Sequence, residues 1–269
     1  NPTAEGALTV AGTAVLDAPG CRIMVNSNHP ESITANGGAC INAGEIGYVP
    51  DGSLVTNGGN CVNPAPTGYA IPQPDPYASL PEPDPGLLGL LPINLPVITS
   101  LNSLVLTPLV PGYYPGGVKI TGGNVVFLPG LYIVDGLEIS GDATATGNGV
   151  TIFNTGEGLK NITIAGGVHA EFHAPTSGIY ENILFFNSRS APDAPPYGAT
   201  IIGTSGSIFD GVLYFPTVNL TFGGNQSASA PWARIVADTV TLAGNPQVGV
   251  DYVPPGGRDP DSYRVVTVE

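Results

Sequence analysis

Positive charge is what this chain has least of. Seven Lys and Arg stand against 21 Asp and Glu, for a net charge of −14 at neutral pH. Nucleic-acid binding needs a basic face, and seven scattered cations cannot make one. Anionic membrane surfaces are disfavoured for the same reason. Long apolar runs are absent too, so no segment reads as a membrane span. The chain opens on Asn1 without the basic and apolar pattern of a signal peptide, and is expected to be a mature or processed form of an exported protein. Helix-period patterning is missing, because Gly or Pro interrupts almost every window. Only three cysteines occur, Cys21, Cys40 and Cys61, with no CxxC and no Cys/His cluster to suggest zinc.

What is abundant is glycine (38) and proline (28), in a chain that is still 42% hydrophobic. Disorder requires low hydrophobicity, so a buried core is expected. Short strands with a turn residue at each corner reconcile the two. One phrase recurs: apolar, polar, apolar, any residue, then Gly and a small or polar residue. It reads Leu8-Thr9-Val10-Ala11-Gly12-Thr13 and returns from Ile33, Leu54, Val118, Leu137, Ile162, Leu220 and Val240. Most steps are 19 to 25 residues, and the two longer ones, 64 and 58, are near three short ones. Such a period predicts a solenoid. The fold class is therefore all-β, a right-handed parallel β-helix, with a β-sandwich as the alternative. The cysteine spacings of 19 and 21 match the period, which stacks these residues on neighbouring turns and predicts one disulfide and one buried thiol.

Residues 63–96 carry ten prolines and cannot join central strands. They read as an extended excursion over the rod, with Leu87-Leu88-Gly89-Leu90-Leu91 as a short anchor. A single β-helix domain over 1–252 contains this insertion. Residues 253–269 read as a linker and a terminal strand, Arg264 to Val268. That strand either folds back or pairs with another molecule. Ile183-Leu184-Phe185-Phe186 is apolar on both faces and belongs under a loop or at a contact surface. Ile183, Leu184, Phe185, Phe186, Val265, Val266 and Val268 are thus the candidate assembly contacts.

Residues able to carry chemistry are few. Asp17, Asp51, Asp135, Asp142, Asp210 and Asp238 are scattered among turns, without the clustered carboxylates that glycan hydrolysis needs. They read as a solvated acidic surface, with Ca2+ binding by some of them as the sharper reading. His169, Glu171 and His173 share one face of a strand, but the two histidines are ~13 Å apart and cannot share one zinc. An exposed polar stripe is the plainer reading. Asn161-Ile162-Thr163, Asn219-Leu220-Thr221 and Asn225-Gln226-Ser227 match glycosylation sequons, meaningful only in a secretory host. Thr9, Thr34, Thr163, Thr221 and Thr241 hold the second place of the phrase, as in the flat threonine ladders of ice-binding solenoids. Val55, Lys119 and Glu138 interrupt that series. A glycan-binding or glycan-degrading β-helix would draw on Tyr113, Tyr114, Tyr197, Tyr214 and Trp232.

Several ordered blocks carry a resemblance. They are Gly149-Val150-Thr151-Ile152-Phe153, Ala174 through Phe186, Leu128-Pro129-Gly130-Leu131-Tyr132-Ile133-Val134, Asp210 through Pro216, Arg234 through Val240, and Gly20 through Ser27. Together, over roughly residues 5 to 250, they resemble the C-terminal region of TadG-like proteins of bacterial tight-adherence (Tad/Flp) pilus systems. The resemblance implies an extracellular or cell-surface protein tied to pilus assembly, adhesion or secretion. It implies no catalytic residue and no resident cofactor. Its partners would be further copies or other surface and pilus components. The chain departs from the family pattern in lacking an N-terminal anchor and in its longer proline-rich insertion. Residues 253–269 fall outside the match.

Overall fold

The structure is a computed structural model. It describes residues 1–68, 71–94, 98, 106–155, 161–191, 198–202, 206–224, 227–230, 233–250 and 264–267. Among these there is no helix, and the strands pair in parallel to form a β-solenoid of about nine turns.

Each turn follows from the recurring phrase. In Leu8–Gly12, Leu8 and Val10 are fully buried while Thr9 and Ala11 face outward. Parallel pairing places like on like, as Leu8 on Ile33 and on Val240. The corner is set by glycine. Gly12 has φ +79°, a left-handed conformation, and a Cβ there would lie 2.4 Å from the Gly244 carbonyl oxygen. Inside the far half of the stack, Phe127, Phe172 and Phe209 form an aromatic column. Gly147 sits in register between Phe127 and Phe172 and leaves room for their rings to meet at 5.1 Å. Tyr132 is wholly buried, and its hydroxyl contacts the carbonyl oxygens of Leu109 (2.6 Å) and Leu128 (2.7 Å). Burial, first, and neighbouring Tyr114 push its pKa well above the ordinary tyrosine value.

The order of turns in space is not the order in sequence. Leu54–Gly58 pairs with Ile33–Gly37, which pairs with Leu8–Gly12. Leu8–Gly12 then pairs with the Val240–Gly244 end of Ala233–Gly244. From there the stack continues through Ser207–Gly224, Gly198–Ile202, Ile162–Ala165 and Leu137–Ile139 to Val118–Ile120. The N-terminal turns, residues 1–63, are therefore stacked on the last turn of the chain. At this seam Val15–Asp17 pairs with Gln247–Gly249, and Arg22–Met24 with Arg264–Val266.

The proline-rich segment connects the two ends of the stack. It runs along one side as a strap, from Thr67 beside Gly47 to Ile98 beside Ile120. Nine inter-turn steps of ~4.8 Å make this path roughly 43 Å. It covers an outward apolar stripe of Ile133, Phe153, Ile183, Phe186, Val212, Tyr214 and Val236 with Tyr77, Leu80 and Leu90. Leu90 is the anchor of the expected apolar pentapeptide, whereas Leu87, Leu88 and Leu91 stay exposed.

Two expectations are corrected here. Ile183 and Phe186 lie under the strap, and Leu184 and Phe185 lie in the solenoid interior. All four are buried to 2% exposure or less, so this strand is packing and not an assembly contact. The terminal strand Arg264–Thr267, including Val265 and Val266, is not spare either. It lies between Arg22–Met24 on one edge and Val236–Ala237 on the other, with both edges paired. It is part of the solenoid, not a segment beyond it. Val268 lies outside the described residues.

Candidate functional site

The solenoid has three sides, and the side opposite neither strap nor core chemistry carries the threonines. In spatial order the outward column reads Val55, Thr34, Thr9, Thr241, Thr221, Thr200, Thr163, Glu138, Lys119. Six consecutive threonines thus stand in one row, spanning ~24 Å at the inter-strand spacing; Thr34 is buried and the other five are partly exposed. The residues that break the series in sequence, Val55, Glu138 and Lys119, fall at its two ends. The parallel outward column is mostly small or polar: Asn57, Asn36, Ala11, Ala243, Gly223, Ile202, Ala165, Ser140 and Thr121. The Thr34 hydroxyl donates to Thr9 Oγ1 (3.1 Å), Thr9 donates to the Gly6 carbonyl (3.0 Å), and Thr221 donates to Asn219 Oδ1 (2.8 Å). Lys119 and Glu138 close one end with a 2.7 Å ion pair, exposed enough to contribute ~1 kcal/mol or less. Among the described residues these two outward columns carry no aromatic side chain, and a cavity of about 420 Å³ lined by Lys119, Glu138, Asn161 and Thr163 opens at the Lys119 end of the row.

A second side carries His169, Glu171 and His173, outward on one strand as expected. His173 Nδ1 is 3.0 Å from Asp210 Oδ2 on the next turn, and Nε2 is 3.3 Å from Glu171 Oε1. Partial burial opposes the charged ring, but the hydrogen bonds to Asp210 and Glu171 and their charges outweigh it. The His173 pKa is raised above the ordinary histidine value. Among the described residues no group of three or more His, Cys, Asp or Glu is placed to hold a metal ion.

The same side carries the cysteines. Cys40 and Cys61 are in register on adjacent turns and form a disulfide with Cα atoms 4.5 Å apart. Cys21 is a buried free thiol. It does not stack on Cys40, because Val15 occupies that position. Between Ala18 and Arg22 the first turn has three residues where the next has only Gly44, and this bulge carries Cys21 to the following corner.

The strapped side is held by a charged clamp. Arg189 donates through Nε to the Tyr214 hydroxyl (2.9 Å) and through Nη2 to the Tyr77 carbonyl. Its backbone N–H donates to Glu82 Oε1 (2.7 Å), and the Ser188 hydroxyl donates to Glu82 Oε2 (2.9 Å). The Tyr214 hydroxyl donates to Asp75. Arg189 also lies 5.2 Å from the Phe186 ring centroid and 5.3 Å from that of Tyr214. Below the clamp, Glu82, Asp84, Leu87, Tyr113, Thr155 and Ser190 line a groove of about 490 Å³ between strap and solenoid. Tyr197 and Trp232 lie outside the described residues.

Sequence reasoning missed two parts of this arrangement. Thr200 belongs to a degenerate copy of the phrase, Ala199-Thr200-Ile201-Ile202-Gly203, inside the 58-residue step, and dividing that step would have exposed it. The clamp carries no local motif, since Asp75, Glu82, Arg189 and Tyr214 come from distant segments. No family model, no curated protein and no solved structure matches this chain. Among the described residues no helix is long and apolar enough to cross a membrane.

Proposed function

We propose that this chain is a non-enzymatic structural and adhesive β-solenoid of the bacterial cell surface, related to pilus assembly, with further copies or other surface components as its partners. The observation that carries this reading is the six-threonine row, an extended outward-facing column of small polar side chains. The ordered blocks resembling TadG-like proteins support the same assignment, as does the acidic, lysine-poor composition. The test has two arms. Antibody labelling of intact cells of the native host asks where the protein is, and binding of protein-coated beads to those cells asks whether the threonine side is the contact. Thr221→Lys with Thr241→Lys should lower bead attachment several-fold without changing the fold by circular dichroism. Labelling only after cell lysis, or attachment unchanged in the double variant, would refute the proposal.

The strap groove favours a second reading, a glycan-binding β-helix, since Tyr113 and two carboxylates from the strap share it. A glycan array compared with Tyr113→Ala distinguishes this from surface adhesion.

A further inference from the structure

The seam differs from every other junction between neighbouring turns. Elsewhere the chain passes directly from one turn to the next or through a local loop. Here the paired residues, Leu8–Gly12 and Val240–Gly244, are more than 200 positions apart. The seam is nevertheless built from the same parts as its neighbours. It has the same parallel register, the same glycine corner, and bonds such as Thr13 N–H to the Gly244 carbonyl and Val15 N–H to the Pro246 carbonyl, both 2.8 Å. A turn offering this edge accepts any turn with the matching one, whichever molecule supplies it.

The strap shows where the chain crosses the seam. Gln73 is held by the N-terminal turns: its N–H donates to Asn26 Oδ1 (2.9 Å), and Asn26 Nδ2 donates to its carbonyl (2.7 Å). Asp75 and Tyr77 are held by the other part, through Tyr214, Arg189 and Arg234. Among the described residues the covalent link across the seam is therefore the short peptide Gln73-Pro74-Asp75. Among the described residues, 1–68 and 71–73 go with the three N-terminal turns, and 75–94 go with the other part. Short hinges of this kind favour exchange of an element between copies. Peeling the strap from Pro74 to Leu90 would lend the hinge roughly 55 Å of reach.

We propose that the seam is an exchangeable joint whose partner is a second copy of this chain: the three N-terminal turns of one molecule stack on the Ala233–Gly244 and Arg264–Thr267 turn of the next. Reciprocal exchange closes a dimer, and one-way exchange propagates an open head-to-tail filament. This deepens the reading above as a surface structural protein and rests on it for its biological setting. It also replaces the expected contacts at Ile183–Phe186 and at a free terminal strand, which are occupied within the molecule. Local crowding of chains drives the exchange, because the intramolecular seam competes through a high effective concentration.

Thr9 and Thr241 face outward in register across the seam, in the same relation as the disulfide pair Cys40 and Cys61. An affinity-tagged full-length Thr9→Cys variant is mixed with untagged Thr241→Cys over a concentration series below the melting temperature and then oxidised. Tagged Thr9→Cys mixed with Thr163→Cys is the out-of-register control. The expected result is a covalent heterodimer joined through positions 9 and 241, rising with concentration and several-fold above the control, with the bond identified by peptide mass spectrometry. In the Thr9→Cys/Thr241→Cys double variant the bond forms within one chain, and that locked protein should stay monomeric where the wild type assembles. A 9–241 heterodimer no more abundant than the control would overturn the proposal, as would a locked variant that assembles like the wild type. A surface-exposed protein that fails this test removes the exchange alone, and an exchanging protein confined to the cell interior removes the surface role alone.

Discussion

Gly12→Ala tests whether the glycine corners hold the seam. Gly12 sits at φ +79°, and a Cβ there meets the Gly244 carbonyl oxygen at 2.4 Å. Holding alanine in the left-handed region costs about 1–2 kcal/mol. Relieving the contact requires the two turns to part, because the obstructing atom is backbone, and overpacking of this kind costs about 1–3 kcal/mol. The sum is about 2–5 kcal/mol, or a fall in Tm of roughly 5–15 °C for a chain of this size. Gly59 is the control: its φ is not left-handed and nothing lies within 4 Å of its Cβ position. Differential scanning calorimetry of both variants measures the effect. Hydrogen exchange localises it, with protection lost first at Leu8–Gly12 and Val240–Gly244. If Gly12→Ala melts with the wild type while Gly59→Ala does too, stacked corners do not set the turn spacing and the account of the seam is wrong.

Three further outcomes are expected. His173 has a folded-state pKa raised above its unfolded value, so its contribution is fully present below the ordinary histidine pKa and is lost as pH rises through the raised one; urea midpoints of the wild type should fall across that window relative to His173→Gln, and parallel profiles would contradict the cluster. Opening the Cys40–Cys61 bond, which spans 21 residues, should cost about 2–4 kcal/mol at the Leu54–Asn63 end of the stack, while Cys21, buried and with its pKa pushed up by burial, should react with thiol reagents only on unfolding; rapid labelling of Cys21 in the folded protein would count against its placement. Tyr214→Phe removes the hydroxyl shared by Arg189 and Asp75 at about 1–3 kcal/mol, and should show as faster proteolysis within the strap at an unchanged solenoid signal; a strap no more susceptible than before would mean that the clamp does not hold it.

The turns themselves were legible in the chain because each is local. Leu8, Val10 and Gly12 declare a strand and a corner without reference to anything distant, and repetition confirms them. The stacking order was not legible, because pairing Leu8 with Ile33 or with Val240 satisfies the same local pattern. That ambiguity explains why Val55, Glu138 and Lys119 seemed to break the threonine series: they were read in chain order, whereas the row is assembled in spatial order. Ile183–Phe186 announced burial on both faces, but the sequence alone offered no way to choose between cover from within and cover from a partner. The cysteine period was sound for Cys40 and Cys61 and failed at Cys21, because those two turns are offset by 25 residues at Val15–Cys40, not by the 19 that separate Cys21 from Cys40. Arg189 and Glu82, which fasten the strap, are single charges more than 100 positions apart, and no spacing rule connects them.

The permuted stack also imposes a schedule on folding. Residues 1–63 are synthesised well before the edge that completes them, Val240–Gly244 with Arg264–Val266. The early turns must wait with one open edge while the rest of the solenoid grows toward them from the far end of the strap. Joining them is a long-range closure, the slowest kind of contact to form. A chain cut short before Val240 never presents the matching edge, so the turns of residues 1–63 keep an unpaired strand edge. The seam thus ties early turns to late ones: only a chain carried through to Arg264–Thr267 can pair both edges of the joint.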